Sequence, residues 1–191
     1  MKISTRQIVE SALMIAIASV LSLITFSGPW ALGGGITVCS MLPLVILSHR
    51  FGVKAGLTAS VIYGLIQMLL GFSNVQYAQS FMMAVGIVFL DYIIAFGVIG
   101  LSSMFNGVIK NRIVSVIVGI AFSFSLRFVC HFISGWWIWE SLWPNELGWA
   151  APIWSLAYNA SYMLPEIIIT CAVAALSYKP LSAYWQGKMI R

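Results

Sequence analysis

Four ionisable side chains sit inside long apolar runs of this sequence: Asp91, Arg127, His131 and Glu166. A charge surrounded by hydrocarbon is costly, so each is a candidate either for holding helices together or for meeting a ligand. Arg127, His131 and Gly135 are spaced i, i+4, i+8 and share one helix face, where Gly135 leaves room for a close approach. Arg127 suits an ion pair with Asp91 or Glu166. One internal cation cannot fully neutralise both carboxylates, which gives Asp91 and His131 the character of site residues. Further on, Trp154, Tyr158 and Tyr162 form a second i, i+4, i+8 stripe with Asn159 beside it. The aromatic members serve equally well as interface anchors. The Asn159 amide needs partners for its donors and its acceptor inside an apolar run. A carboxylate among aromatic walls is suited to an organic cation, by charge pairing and cation–π contact. An amide and a carboxylate together can also read the edge of a heteroaromatic ring, so the favoured ligand class is a planar cationic metabolite.

The elements that must position these groups follow from composition. Of 191 residues, 61% are hydrophobic and 8% are charged, far below the roughly 25% charge of an ordinary soluble domain. A chain this small cannot hide so much apolar surface in a wettable globule. The fold class is therefore all-α integral membrane protein, and the whole of 1–191 reads as a single membrane domain. Apolar runs and Gly/Pro/Asn punctuation predict six transmembrane helices, at 8–26, 36–48, 53–70, 81–104, 113–134 and 153–176. The second is short: thirteen residues rise only ~20 Å, against a hydrocarbon core of ~30 Å. The glycine run Gly33-Gly34-Gly35 before it could dip into the bilayer.

Charge placement favours six crossings over five. With six, Lys2, Arg6, Arg50, Lys54, Lys110, Arg112, Lys179, Lys188 and Arg191 fall on one side, and Glu140 and Glu146 on the other. By the positive-inside rule both termini are then cytoplasmic, in a multi-pass cell-membrane protein. Seven tryptophans (Trp30, Trp136, Trp137, Trp139, Trp143, Trp149 and Trp154) fall on the outer side and only Trp185 on the inner. That exceeds what an interfacial belt needs and suggests outer loops folding over something flat. The basic residues lie singly or in pairs between apolar runs, as membrane anchors do, and not on one face as nucleic-acid binding requires. Cys39, Cys130 and Cys171 have no metal-ligand spacing and read as inert buried thiols. No P-loop, H-E-x-x-H or G-x-S-x-G motif is present, so neither an enzyme nor a self-powered pump is expected, and no cofactor. The first run is too long for a signal h-region and lacks a cleavage pattern. The Asn159-Ala160-Ser161 sequon lies within a span. Ala12 and Ala16 on the first helix form a small-x-x-x-small pair suited to close helix contact, as do Gly52 and Gly56 on the third.

Particular stretches resemble the thiamine-specific substrate-binding subunits (S-components) of energy-coupling factor vitamin transporters. They are Gly34-Gly35-Ile36-Thr37 leading to Ser40-Met41-Leu42-Pro43, Leu90-Asp91-Tyr92 with Ala95-Phe96-Gly97, Arg127-Phe128 with His131-Phe132-Ile133-Ser134-Gly135, and Ala157-Tyr158-Asn159-Ala160-Ser161-Tyr162-Met163. The resemblance runs over essentially the whole chain. It implies a six-helix S-component fold with a vitamin pocket near the outer face, capped by the loop between the first two helices. It implies thiamine as ligand, and as partners a transmembrane coupling protein and two cytoplasmic ATPases, with Ala12 and Ala16 facing the coupling protein. Carried over by position, Asp91 binds the aminopyrimidine, in a place where the family can carry glutamate. His131 and Trp139 flank the thiazolium, Gly135 lies near the hydroxyethyl arm, and Asn159 joins the pyrimidine contacts. Trp154 stands where the family has tyrosine one turn before Asn159, Tyr158 belongs to the same aromatic set, and Trp30 is a candidate lid residue. The residues alone leave open an S-component for another vitamin, a proton-driven transporter of small molecules, and a membrane-embedded enzyme using Asp91, His131 and Glu166.

Overall fold

The computed structural model describes residues 4–28, 30 and 34–187; Lys2, Gly33, Lys188 and Arg191 of the charge and loop readings lie outside them. Helix α1 spans Thr5–Ser22, opened by Ser4, whose side chain accepts from the Gln7 amide at 3.2 Å. The predicted continuation to residue 26 does not form. The Thr25 hydroxyl donates to the Ser22 carbonyl at 2.7 Å, and the chain turns into strand β1, Thr25–Phe26, which pairs antiparallel with β2, Ile36–Thr37. This small ribbon satisfies backbone groups that the helix end would leave open.

The second helix also starts later than its apolar run. Helix α2 is Leu42–Phe51, because Pro43 has no amide to donate and fits only in a first turn. Ten residues rise ~15 Å, about half the ~30 Å core, so α2 cannot cross the bilayer by its own length. It ends at Gly52, whose φ of 89° breaks the helix, and α3 follows at once as Val53–Leu70. After a short helix α4, Phe72–Gln76, the remaining spans are α5 at Phe81–Gly107, α6 at Arg112–Leu142 and α7 at Ala151–Tyr178. The chain closes with a short α8, Ser182–Trp185. Among the described residues five helices, α1, α3, α5, α6 and α7, are long and apolar enough to cross a membrane, with α2 as a shorter apolar sixth. Exposed residues such as Phe81, Leu176 and Ile168 give these helices an apolar exterior, as lipid contact requires.

Two of the long helices change winding where the candidate site lies. α5 widens to a π-turn over Val88–Ile93, which contains Asp91, and tightens to 3₁₀ over Val98–Gly107. α6 runs straight through Gly135, the residue at which the sequence pattern stops it. Gly135 keeps helical angles (φ −60°, ψ −45°), and the helix continues as a π-turn over Gly135–Trp139. π-turns are rare and gather at functional positions.

At the other end of the bundle Glu10, which belongs to α1, accepts from Arg6 at 2.6 Å and from Arg50 Nη2 at 3.1 Å. Arg50 also donates to the Tyr184 carbonyl. Glu10 is thus a further ionisable residue of a spanning helix, tied by arginines from two elements. The Gly56 of the small-residue pair on α3 packs internally, against Ser48 and the Gly100 carbonyl, while Gly52 faces open space. Ala12 and Ala16 are exposed on α1, while Ile15 and Ala18 of the same helix are buried.

The contact of α5 with α6 depends on Gly119, where any side chain would run into the Ser102 backbone. Gly119→Val is expected to destabilise by about 1–3 kcal/mol or more through overpacking. The check is the thermal midpoint of the purified protein in detergent, expected to fall by several degrees, with Gly107→Ala, which meets nothing within 4 Å, leaving it unchanged.

Candidate functional site

The helix ends opposite the Glu10–Arg50 cluster enclose a cavity of about 390 Å³. Asp91 from α5, His131, Gly135 and Trp139 from α6, and Trp154, Tyr158 and Asn159 from α7 all line it. These are seven of the eight ligand-site candidates named from sequence. Trp30 does not line the cavity but lies over it from the β1–β2 connection. Its indole N–H donates to Ser161 Oγ at 2.6 Å, and its ring meets the edge of Tyr162, a lining residue, at 5.8 Å. Gly34, in the same connection, has φ of 95°, and a Cβ there would come within 2.8 Å of the Tyr162 ring. Only glycine lets this cover settle so closely.

Asp91 is the most heavily supported carboxylate in the cavity. It is 9% exposed, and its carboxylate accepts three hydrogen bonds. Trp139 Nε1 donates to Oδ2 at 2.9 Å, Ser134 Oγ donates to the same oxygen at 2.8 Å, and His131 Nδ1 lies 3.1 Å from Oδ1. Three donors fix the carboxylate plane and offset part of its desolvation. A carboxylate has about four lone-pair positions, so one remains for a ligand donor. With its proton on Nδ1 and donated to Asp91, His131 presents Nε2 as an acceptor. Nε2 is buried without a partner among the described residues. Side by side, Asp91 and His131 thus offer two acceptors to a ligand carrying N–H groups.

The Asn159 amide is held from several directions. Its nitrogen donates to the Ser155 carbonyl at 2.9 Å and the His131 carbonyl at 3.3 Å, and its oxygen accepts from the Tyr162 hydroxyl at 2.6 Å. The space at Gly135 is taken up in this contact, since a Cβ there would strike the Ser155 hydroxyl and come within 3.1 Å of Asn159 Nδ2. Gly135 therefore serves the approach of α7 to α6 as well as lining the cavity.

Arg127 pairs with Glu166, not with Asp91. Its Nη1 donates to Glu166 Oε2 at 3.2 Å, Glu166 Oε1 accepts from Thr37 Oγ1 at 2.6 Å, and the guanidinium sits 5.0 Å from the Phe96 ring. This ion pair joins α6 to α7 and, through Thr37, to β2. The stacked indoles of Trp139 and Trp143, 5.7 Å apart and 17° from parallel, form another wall, with Tyr77 edge-on to Trp143 at 4.7 Å.

Several residues in or behind the cavity lining are not among the sequence candidates. Ser134 and Thr37 appear in the motifs, but a hydroxyl inside an apolar run carries no signal of its own. Gln67, Asn74 and Tyr92 close the α3 side, with Gln67 donating to Ser22 Oγ at 2.9 Å and Asn74 to the Tyr92 hydroxyl at 3.0 Å. The buried-amide argument that singled out Asn159 applies equally to Gln67. Glu140 and Trp143, assigned to an outer loop, line the cavity because α6 continues past Gly135. The lining thus holds three carboxylates, Asp91, Glu140 and Glu166, and one guanidinium, Arg127. With aromatic walls and a surplus of negative charge, it is fitted to a flat cation.

The chain matches the model of the family described as thiamine transporter protein over residues 8–184. It is 33% identical over 183 residues to the thiamine transporter ThiT of Bacillus subtilis (strain 168), covering 90% of each chain. Among solved structures it is similar to ThiT from Listeria monocytogenes, at a TM-score of 0.75 and 22% identity, covering 94% of this chain and 97% of that one. It is also similar to the S component of a bacterial ECF transporter, at a TM-score of 0.62 and 18% identity, covering 94% and 96%.

The Arg127–Glu166 pair yields a test that needs no ligand. Arg127→Met leaves Glu166 buried without its cation and is expected to cost about 3–5 kcal/mol. Adding Glu166→Leu removes the uncompensated charge and should restore most of the loss. Thermal midpoints of the native protein, the single and the double variant decide it.

Proposed function

This chain belongs to the thiamine transporter protein family, and we propose that its cavity binds thiamine as the substrate-capturing step of uptake. The observation that carries the reading is the Asp91 carboxylate, fixed by His131, Ser134 and Trp139 in a cavity with surplus negative charge and aromatic walls. Thiamine joins an aminopyrimidine, which offers N–H donors, to a permanently cationic thiazolium. Asp91 accepts from the aminopyrimidine, Asn159 borders the same ring, and His131 and the Trp139–Trp143 wall flank the cationic ring. Trp154 and Tyr158 complete the aromatic lining, and Trp30 covers the bound vitamin from the β1–β2 connection.

The chain is a multi-pass membrane protein and carries no ATPase motif. In this reading it is the S-component of an energy-coupling factor importer. A transmembrane coupling protein and two cytoplasmic ATPases supply the energy, and the exposed small residues Ala12 and Ala16 form part of the docking face. In this reading residues 36–41 cross together with α2 as the short sixth span, which leaves the Glu10–Arg50 end and both termini in the cytoplasm, in line with the excess of Lys and Arg there, and opens the cavity to the outside. No chemistry is performed on the vitamin: the side chains bind and orient it.

Tryptophan fluorescence of the purified chain should be quenched saturably by thiamine, since indoles form so much of the cavity and its cover. A flat titration would contradict the assignment. In proteoliposomes, thiamine uptake should require the coupling protein and ATPases together with ATP; uptake by this chain alone would point to a different transport mechanism.

A further inference from the structure

The Glu140 carboxylate is the acidic group of the cavity whose hydrogen bonds are least complete. Asp91 has three donors, and Glu166 has Arg127 and Thr37. Glu140 is bound through one oxygen only. Its Oε1 accepts from the Asn145 backbone amide at 3.0 Å and from Asn145 Nδ2 at 2.7 Å. Its Oε2 is buried and has no partner among the described residues. A carboxylate oxygen taken out of water without a donor is unfavourable, and here the residue lines the cavity between the two stacked indoles in sequence, Trp139 and Trp143.

The half-satisfied state is built into the loop. Asn145, which clamps Oε1, is itself fixed by Trp149: its Nδ2 donates to the Trp149 carbonyl at 2.9 Å, and its Oδ1 accepts from the Trp149 amide at 2.9 Å. The loop therefore holds one face of the carboxylate and leaves the other without a partner. A neutral donor could satisfy that oxygen, but a fixed cation without N–H groups needs this arrangement more. Such a cation cannot hydrogen-bond, so it is recognised by an unpaired negative charge and by π-faces.

Building on the thiamine reading, we propose that Glu140 is the counter-ion of the thiazolium, distinct from Asp91, which reads the aminopyrimidine. The pocket then divides its work. Asp91 selects the hydrogen-bonding ring, while Glu140 and the Trp139–Trp143 wall select the positive charge.

The test compares two ligands on the full-length purified chain: thiamine, and its uncharged isostere in which a thiophene replaces the thiazolium. The native protein should prefer thiamine. Glu140→Gln, which keeps shape and the Asn145 contacts, should weaken thiamine binding by about tenfold to a hundredfold, the range expected on removing one partner of a buried charge pair. Its affinity for the isostere should change less than about threefold, well under that range. Glu140→Asp retains the charge and should retain the preference for the cation. Equal weakening of both ligands by Glu140→Gln, or no weakening of either, overturns the proposal. Failure of the native protein to bind either ligand sinks the thiamine reading itself, which a selective change in Glu140→Gln presupposes.

Discussion

The organisation of this protein follows from the cost of placing carboxylates inside a bilayer. Asp91 and Glu166 lie buried in spanning helices, away from bulk water, and each is held by side chains from other elements. Asp91 is served by His131, Ser134 and Trp139, all on α6; Glu166 is served by Arg127 on α6 and Thr37 on β2. α6 therefore supplies donors to both neighbours, and the cavity lies where those interactions converge. The arginine is spent on Glu166, so the charge on Asp91 is stabilised by hydrogen bonds without being cancelled by a guanidinium. That difference makes one pair structural and leaves the other able to bind.

Local helix geometry brings these groups together. The π-turns at Val88–Ile93 and Gly135–Trp139 change the direction of side chains on one helix relative to a regular winding. They lie on the two facing helices that contribute Asp91 and Trp139, which meet in a 2.9 Å hydrogen bond. The cover is set by a different constraint. The β1–β2 ribbon and Gly34 bring the connection down onto Tyr162, and the Trp30 hydrogen bond to Ser161 anchors it to α7.

Much of this could be read from residue types because a membrane makes polar groups conspicuous. Asp91, His131 and Asn159 stand out against apolar runs, and all three line the cavity. The third helix, predicted at 53–70, is Val53–Leu70, bounded by Gly52 and Gly71. What hydrophobicity could not show was where backbone geometry overrides it. Residues 36–41 are apolar enough to extend α2, yet Pro43 forces the helix to begin at Leu42. Gly135 reads as a helix end but is wound through, which carries Trp139, Glu140 and Trp143 to the cavity. Glu10 was hidden at the edge of an apolar run, where only its meeting with Arg50 shows its role. Pairing was equally beyond the pattern: spacing allowed Arg127 either carboxylate, and three-dimensional packing chose Glu166.

The central claim is that the Asp91 carboxylate, held uncancelled by three donors, anchors the ligand. Its most direct test is calorimetric titration of thiamine into native protein and Asp91→Asn, with folding verified by an unchanged helical circular dichroism spectrum. The account predicts that the amide variant folds but binds thiamine at least about thirtyfold more weakly, as expected when one partner of a buried charged hydrogen bond is removed. Undiminished binding by folded Asp91→Asn would contradict it and place the recognition of thiamine elsewhere in the chain.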